Sequence, residues 1–209
     1  MKNKIFNTFK IMLVLALLTA IRPVKAQSMQ MHHQHSSAGK NMLLTLMDSM
    51  MVQMSKLPKA TSPESDFIQQ MIPHHEGAVA MAKYEIQHGK DFNMIQLARS
   101  ILTEQTSEIQ QMNLWLKQIS ATDKEMPSGY QQSMNQSMQT MMNTMPSNEQ
   151  LTDIDHAFAA VMVPHHQAAV DMAKIILKYS GDQLITGFAK QLISLQQVEI
   201  EQMSLFLNK

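Results

Sequence analysis

Two short stretches of this chain put imidazole and thioether side by side: Met71-Ile72-Pro73-His74-His75 and Met162-Val163-Pro164-His165-His166. On a helix Met71 and His75 lie one turn apart, so both can point at one atom, while His74 sits about 100° round and faces the side carrying Ala78 and Met81. Imidazole with thioether selects soft Cu(I) or Ag(I), and imidazole also accepts Cu(II); Mg and Ca want oxygen ligands. The chemistry to expect is copper binding, with silver as a surrogate ion.

The two stretches belong to longer matching frames, FIQQMIPHHEGAVAMAK and FAAVMVPHHQAAVDMAK, displaced by 165 − 74 = 91 residues. The offset continues without insertion: Met81 falls on Met172, Glu108 on Glu199, Met112 on Met203 and Leu114 on Leu205. Upstream, Met47, Met50, Met51 and Met54 fall on Met138, Met141, Met142 and Met145. A repeat of this length is an internal duplication of about three helices rather than a recurring motif.

The duplication widens the candidate ligand set. His74, His75, His165 and His166, with Met71, Met162, Met81 and Met172, stand on one helix of each unit. Glu108, Glu199, Met112 and Met203, flanked by Gln105, Gln111, Gln196 and Gln202, stand on the next. The acids are either ligands or the acceptors that fix a histidine tautomer. Methionine at helical spacing also serves as an adaptable core filler. That reading fits Met50, Met51, Met54, Met138, Met141, Met142 and Met145 less well, because Met134 to Met145 form a stripe among Gln, Ser, Asn and Thr with little Leu or Ile. These methionines, and Met29, Met31, His32, His33 and His35 near the amino terminus, are weaker candidates for metal capture.

Composition agrees. Methionine makes up 22 of 209 residues, aromatics only 5%, and cysteine is absent, so a soft ion would have to be held by methionine. Lys2, Lys4 and Lys10, an apolar run from Ile11 to Ala20 and the small-residue site Val24-Lys25-Ala26 read as a secretory signal. The run is too short to span a bilayer as a helix. Removing residues 1–26 takes five of the 17 basic residues and no acid, leaving 12 against 17, which argues against nucleic-acid binding. The expected location is the periplasm or the medium, without stable membrane insertion after signal removal.

Proline and glycine divide the rest. Residues 27–39 lack an apolar period and read as a flexible tail. A first helix is expected over 40–57, a second from Pro63 to about His88 closed by Gly89, and a third from about Asp91 to Ile119. Residues 120–130 form a turn-rich linker. The second unit, 131–209, repeats the plan: a Met-rich helix to Met145, a long helix from about Asn148 to Tyr179, a break at Ser180-Gly181 and a last helix to Leu207. Nothing reads as strand. The expectation is an all-α, up-and-down four-helix bundle built from two helix pairs, with the Met-rich helices added. Pro73 and Pro164 interrupt backbone donation beside the histidines, so a local distortion is expected there.

The paired frames, with Glu64 and Asp155 three residues before the phenylalanine, and the stretches SEIQQMNLWL and VEIEQMSLFL resemble the family called domain of unknown function 305. The resemblance covers about residues 40–209. It implies a ferritin-like bundle and, for exported Met-rich members, copper or silver binding linked to metal resistance. Carried over by position, it points to His74, His75, His165 and His166, with Met71 and Met162 nearby.

A ferritin-like fold invites a di-iron reading, which needs two Glu-x-x-His pairs. Glu85-Ile86-Gln87-His88 is one, but its mates are Ile176 and Tyr179. A further alternative is a helical interaction protein whose Met-rich surfaces bind an apolar partner. The reading favoured by the residues is a non-catalytic copper or silver binder that sequesters or delivers the ion. Its partners would be metal ions and a metal exporter or metallochaperone.

Overall fold

The structure, a computed structural model, describes residues 39–119 and 126–209. The expected signal peptide, the tail through Ala38 and residues 120–125 of the linker lie outside the described residues.

Six α-helices carry the described chain: α1 (Met42–Met54), α2 (Pro63–His88), α3 (Phe92–Ile119), α4 (Tyr130–Thr144), α5 (Ile154–Tyr179) and α6 (Gln183–Leu207). The starts of α2 and α5, and of α3 and α6, are each 91 residues apart, so the duplication seen in sequence is a duplication of structure. The fold is all-α among the described residues, a helical bundle of α2, α3, α5 and α6 with the Met-rich α1 and α4 laid against it. No helix among the described residues is long and apolar enough to cross a membrane.

Local chemistry sets these boundaries. Ser62 and Ser65 form a reciprocal capping box around Pro63, with Glu64 and Asp66 in the first turn of α2. Asp91 Oδ1 accepts the N–H groups of Asn93 and Met94 at 2.9 and 3.0 Å, and its mate Asp182 accepts those of Leu184 and Ile185 at 2.9 and 3.1 Å. One cap therefore starts both outer helices. Gly129, at φ 82°, makes the left-handed turn into α4, a conformation costly for residues with a Cβ.

The fifth helix departs from expectation. It begins at Ile154 rather than Asn148, because Asp153 caps it by accepting the His156 N–H at 2.9 Å, and residues Asn148–Gln150 form a separate 3₁₀ turn. The first helix is also shorter than 40–57, its start fixed by the Asn41 side chain accepting the Leu43 N–H.

Helices α2 and α5 are the inner pair. They pack on each other, α3 and α1 pack on α2, and α6 and α4 pack on α5. Accordingly α2 and α5 bury residues around most of their circumference, with Ala78, Ala82, Ala169 and Ala173 fully buried. Their ends are tied antiparallel by two related contacts. Ser180 Oγ donates to Glu64 Oε1 at 2.9 Å, and the backbone N–H groups of Lys90 and Asp91 donate to Asp155 Oδ1 at 2.8 Å each. Glu64 and Asp155 are repeat mates, so each repeat's first-turn acid holds the interhelix turn of the other. This arrangement brings the centres of α2 and α5, where the histidines lie, against each other.

Candidate metal centre

All four histidines of the doubled motif are buried, none more than 1% exposed. His75 Nε2 donates to Glu108 Oε2 at 2.8 Å, and His166 Nε2 donates to Glu199 Oε2 at 2.9 Å. Each inner helix thus presents one histidine to a carboxylate on the outer helix of its own repeat. An ionised carboxylate only accepts, so the bond places the ring hydrogen on Nε2 and leaves the lone pair of a neutral imidazole on Nδ1. In both rings that Nδ1 is buried without a hydrogen-bond partner.

The other two histidines meet across the repeat axis. The His74 and His165 rings lie 3.8 Å apart between centroids, tilted by 35°. His165 Nε2 donates to the His74 backbone carbonyl at 3.1 Å, leaving His165 Nδ1 and both His74 nitrogens without partners. Burial, aided by the neighbouring imidazoles, holds both rings well below the usual histidine range, so they are neutral at physiological pH. A buried polar atom without a partner is costly, and five imidazole nitrogens in this centre are in that state. Such lone pairs suit a soft cation.

The thioethers that the sequence places nearest are inside as well. Met71, Met81, Met112, Met162, Met172 and Met203 are fully buried in the same core. Among the described residues no three His, Asp or Glu side chains converge to hold a metal by themselves. Buried imidazoles and buried thioethers thus share one core. The Glu85-x-x-His88 pair does not turn both groups inward: Glu85 is buried while His88 lies exposed beside Tyr84.

The Met-rich helices divide. Met47, Met50, Met134, Met138 and Met141 are buried, Met51, Met54 and Met145 half-buried, and Met142 exposed. Much of the stripe therefore packs. Met29, Met31, His32, His33 and His35 lie outside the described residues.

Glu104 was not singled out by the sequence, and the surroundings of Gln105, Gln196 and Glu85 emerge only from the structure. Glu104, a turn before Glu108, has its pKa raised to about 7 by burial and by the charges of Glu199 and Glu108; the spacing of four between two glutamates was its only signal. Gln105 and Gln196 are repeat mates, 1% and 2% exposed, with unpartnered side-chain oxygens beside the carboxylates. At the end of the bundle Glu85 faces Asp155. Burial, then Asp155, Asp91 and Asp153, raise Glu85 to about 8. Burial opposes the Asp155 carboxylate too, but the N–H groups of Asp91 and Lys90 and the Glu85 carboxyl outweigh it and hold its pKa below the usual range.

The family model described as "Domain of unknown function (DUF305)" matches residues 13–116 and again 64–207, the second match running from the start of α2 through the whole second repeat. The chain belongs to the DUF305 family. No curated protein matches it. Among solved structures, CopM in its Ag-bound form is 26% identical over 69% of this chain and 94% of that one, with a TM-score of 0.54. CopM in its Cu(I)-bound form gives the same identity and TM-score, with 69% and 95% covered. A DUF305 fragment from Deinococcus radiodurans is 25% identical over 72% and 99%, at a TM-score of 0.52. The fold alone is shared with a DUF305 protein from Streptomyces coelicolor, 21% identical over 72% and 94%, at a TM-score of 0.56.

Proposed function

We propose that this protein is an exported, non-catalytic binder of copper or silver ions that sequesters or hands on its cargo in the periplasm or the medium. The observation that carries the reading is the doubled carboxylate–histidine pair. Glu108 and Glu199 orient His75 and His166 so that each directs a buried, unpartnered Nδ1 lone pair away from the carboxylate. Such an outer carboxylate fixes the tautomer and raises the basicity of a ligating imidazole. Thioethers from Met71, Met81 and Met112, and from Met162, Met172 and Met203, would complete low-coordinate sites suited to Cu(I) or Ag(I).

The CopM structures with bound silver and copper support this assignment at the level of a relative about one quarter identical. The less buried methionines of α1 and α4, with the amino-terminal Met and His residues, would collect ions before they reach the core. A metal exporter or metallochaperone would supply or receive them. The test is titration of the mature chain, residues 27–209, with Cu(I) under chelator competition and with Ag(I). Stoichiometric binding that collapses in a His74/His75/His165/His166→Ala variant supports the proposal; binding unchanged in that variant refutes it.

A further inference from the structure

The two repeats cover their histidines differently. In the first, α1 lies against α2 at Gly77, two residues past His75. A Cβ built on Gly77 would stand 2.9 Å from Met50 Sδ and 3.1 Å from Met50 Cβ, so the methionine fills the space a side chain would need. In the second repeat the equivalent residue is Ala168, and the mate of Met50 is Met141. Met141, Met145 and Ala168 instead line a groove of about 480 Å³ between α4 and α5.

The thioethers of Met141 and Met145 in the groove's wall suit a soft cation in transit. Pro164, adjacent to His165, and Ala160 are in its wall. On the opposite side of the inner helices the difference has the same sense. Leu97 and Glu199, the acceptor for His166, line a groove of about 460 Å³ between α3 and α6. The mate of Leu97 is Phe188, and Trp115 packs edge-on against it with ring centroids 5.3 Å apart.

We propose that the two halves exchange metal unequally: the His166 half loads and releases through the Met141–Met145 groove, while the His75 half, sealed by Met50 on Gly77, retains its ion. This rests on the soft-metal reading above. One half would then act as the handing-on site and the other as a held, structural one.

The experiment is stopped-flow transfer of Cu(I) from the loaded mature chain to an excess of a coloured Cu(I) chelator. Two phases are expected, with His166→Ala removing the fast one and His75→Ala the slow one. Gly77→Ala, which must push Met50 off α2, should bring the slow phase towards the fast, and Ala168→Gly should slow the fast phase. Met50→Ala clears the same space without crowding the helix and should act as Gly77→Ala does, keeping the test intact if that variant fails to fold. Stoichiometric binding released in a single phase, or a fast phase lost in His75→Ala, overturns the unequal exchange alone. A parent chain that binds no Cu(I) removes both this inference and the reading beneath it.

Discussion

Over the first repeat Met50 lies on Gly77, and Phe188, from the second repeat, packs on Phe67 and Trp115; over the second, Met141 and Ala168 stand in the wall of a groove, and Leu97, from the first repeat and the mate of Phe188, lines another groove beside Glu199. The centres of the two halves are nonetheless alike. Each carries a histidine–carboxylate bond of 2.8 or 2.9 Å, between residues 33 apart, with an unpartnered Nδ1. The halves therefore agree in the groups that would hold an ion and differ in what lies over those groups. One methyl at position 168 is among the residue differences of the covering shell, while the histidine–carboxylate geometry is the same in both halves.

The largest stability difference should come from that shell. Phe188→Ala removes a ring packed on Phe67 and Trp115 and should cost about 3–5 kcal/mol, whereas its groove-lining mate in Leu97→Ala should cost about 2 kcal/mol. Urea unfolding of the two variants measures the gap, and equal costs would break the comparison. At the centres the expectation reverses to equality: Glu108→Gln and Glu199→Gln should each weaken Cu(I) affinity by about 10–100-fold. A strong effect from only one would mean that a single half binds.

The two ends of the bundle differ in acid chemistry, since the mate of Glu85 is Ile176. Glu85 is raised to about 8 in the folded chain from an ordinary value near 4.5, so between those pH values the folded state holds a proton the unfolded state has lost. Its stabilising contribution is full below about pH 4.5 and is lost as pH rises through about 8. Glu85→Gln should flatten the fall in Tm between about pH 5 and about pH 9; an unchanged slope would remove Glu85 as its source. The smallest effect concerns the shared caps: Asp91→Ala and Asp182→Ala should each cost about 1 kcal/mol by thermal unfolding, and alike.

The duplication, the helix pairs and the donor types were legible in the sequence because they rest on local spacing: the offset of 91, capping residues such as Asp91 and Asp182, and Met71 one turn before His75. The pairing of His75 with Glu108 was half legible, since the acids stood out only as repeat mates. What the sequence withheld depends on where helices cross. His74 stacks on His165 only because α2 and α5 meet at their centres, and Glu104 is perturbed by Glu199, a residue on a different helix. The fate of the Met stripes was undecided for a similar reason. Methionine suits a core or a surface equally, and burial of Met47, Met134 and Met138 follows from α1 and α4 lying on the inner helices.

The central claim, that His75 and His166 bind through Nδ1 while Nε2 stays bonded to its carboxylate, is tested most directly by nitrogen-15 NMR of the histidine side chains during Ag(I) titration. The Nδ1 resonances of His75 and His166 should move on binding while both Nε2–H signals persist. Stoichiometric silver uptake that leaves those Nδ1 resonances in place, or that removes the Nε2–H signals instead, would contradict it.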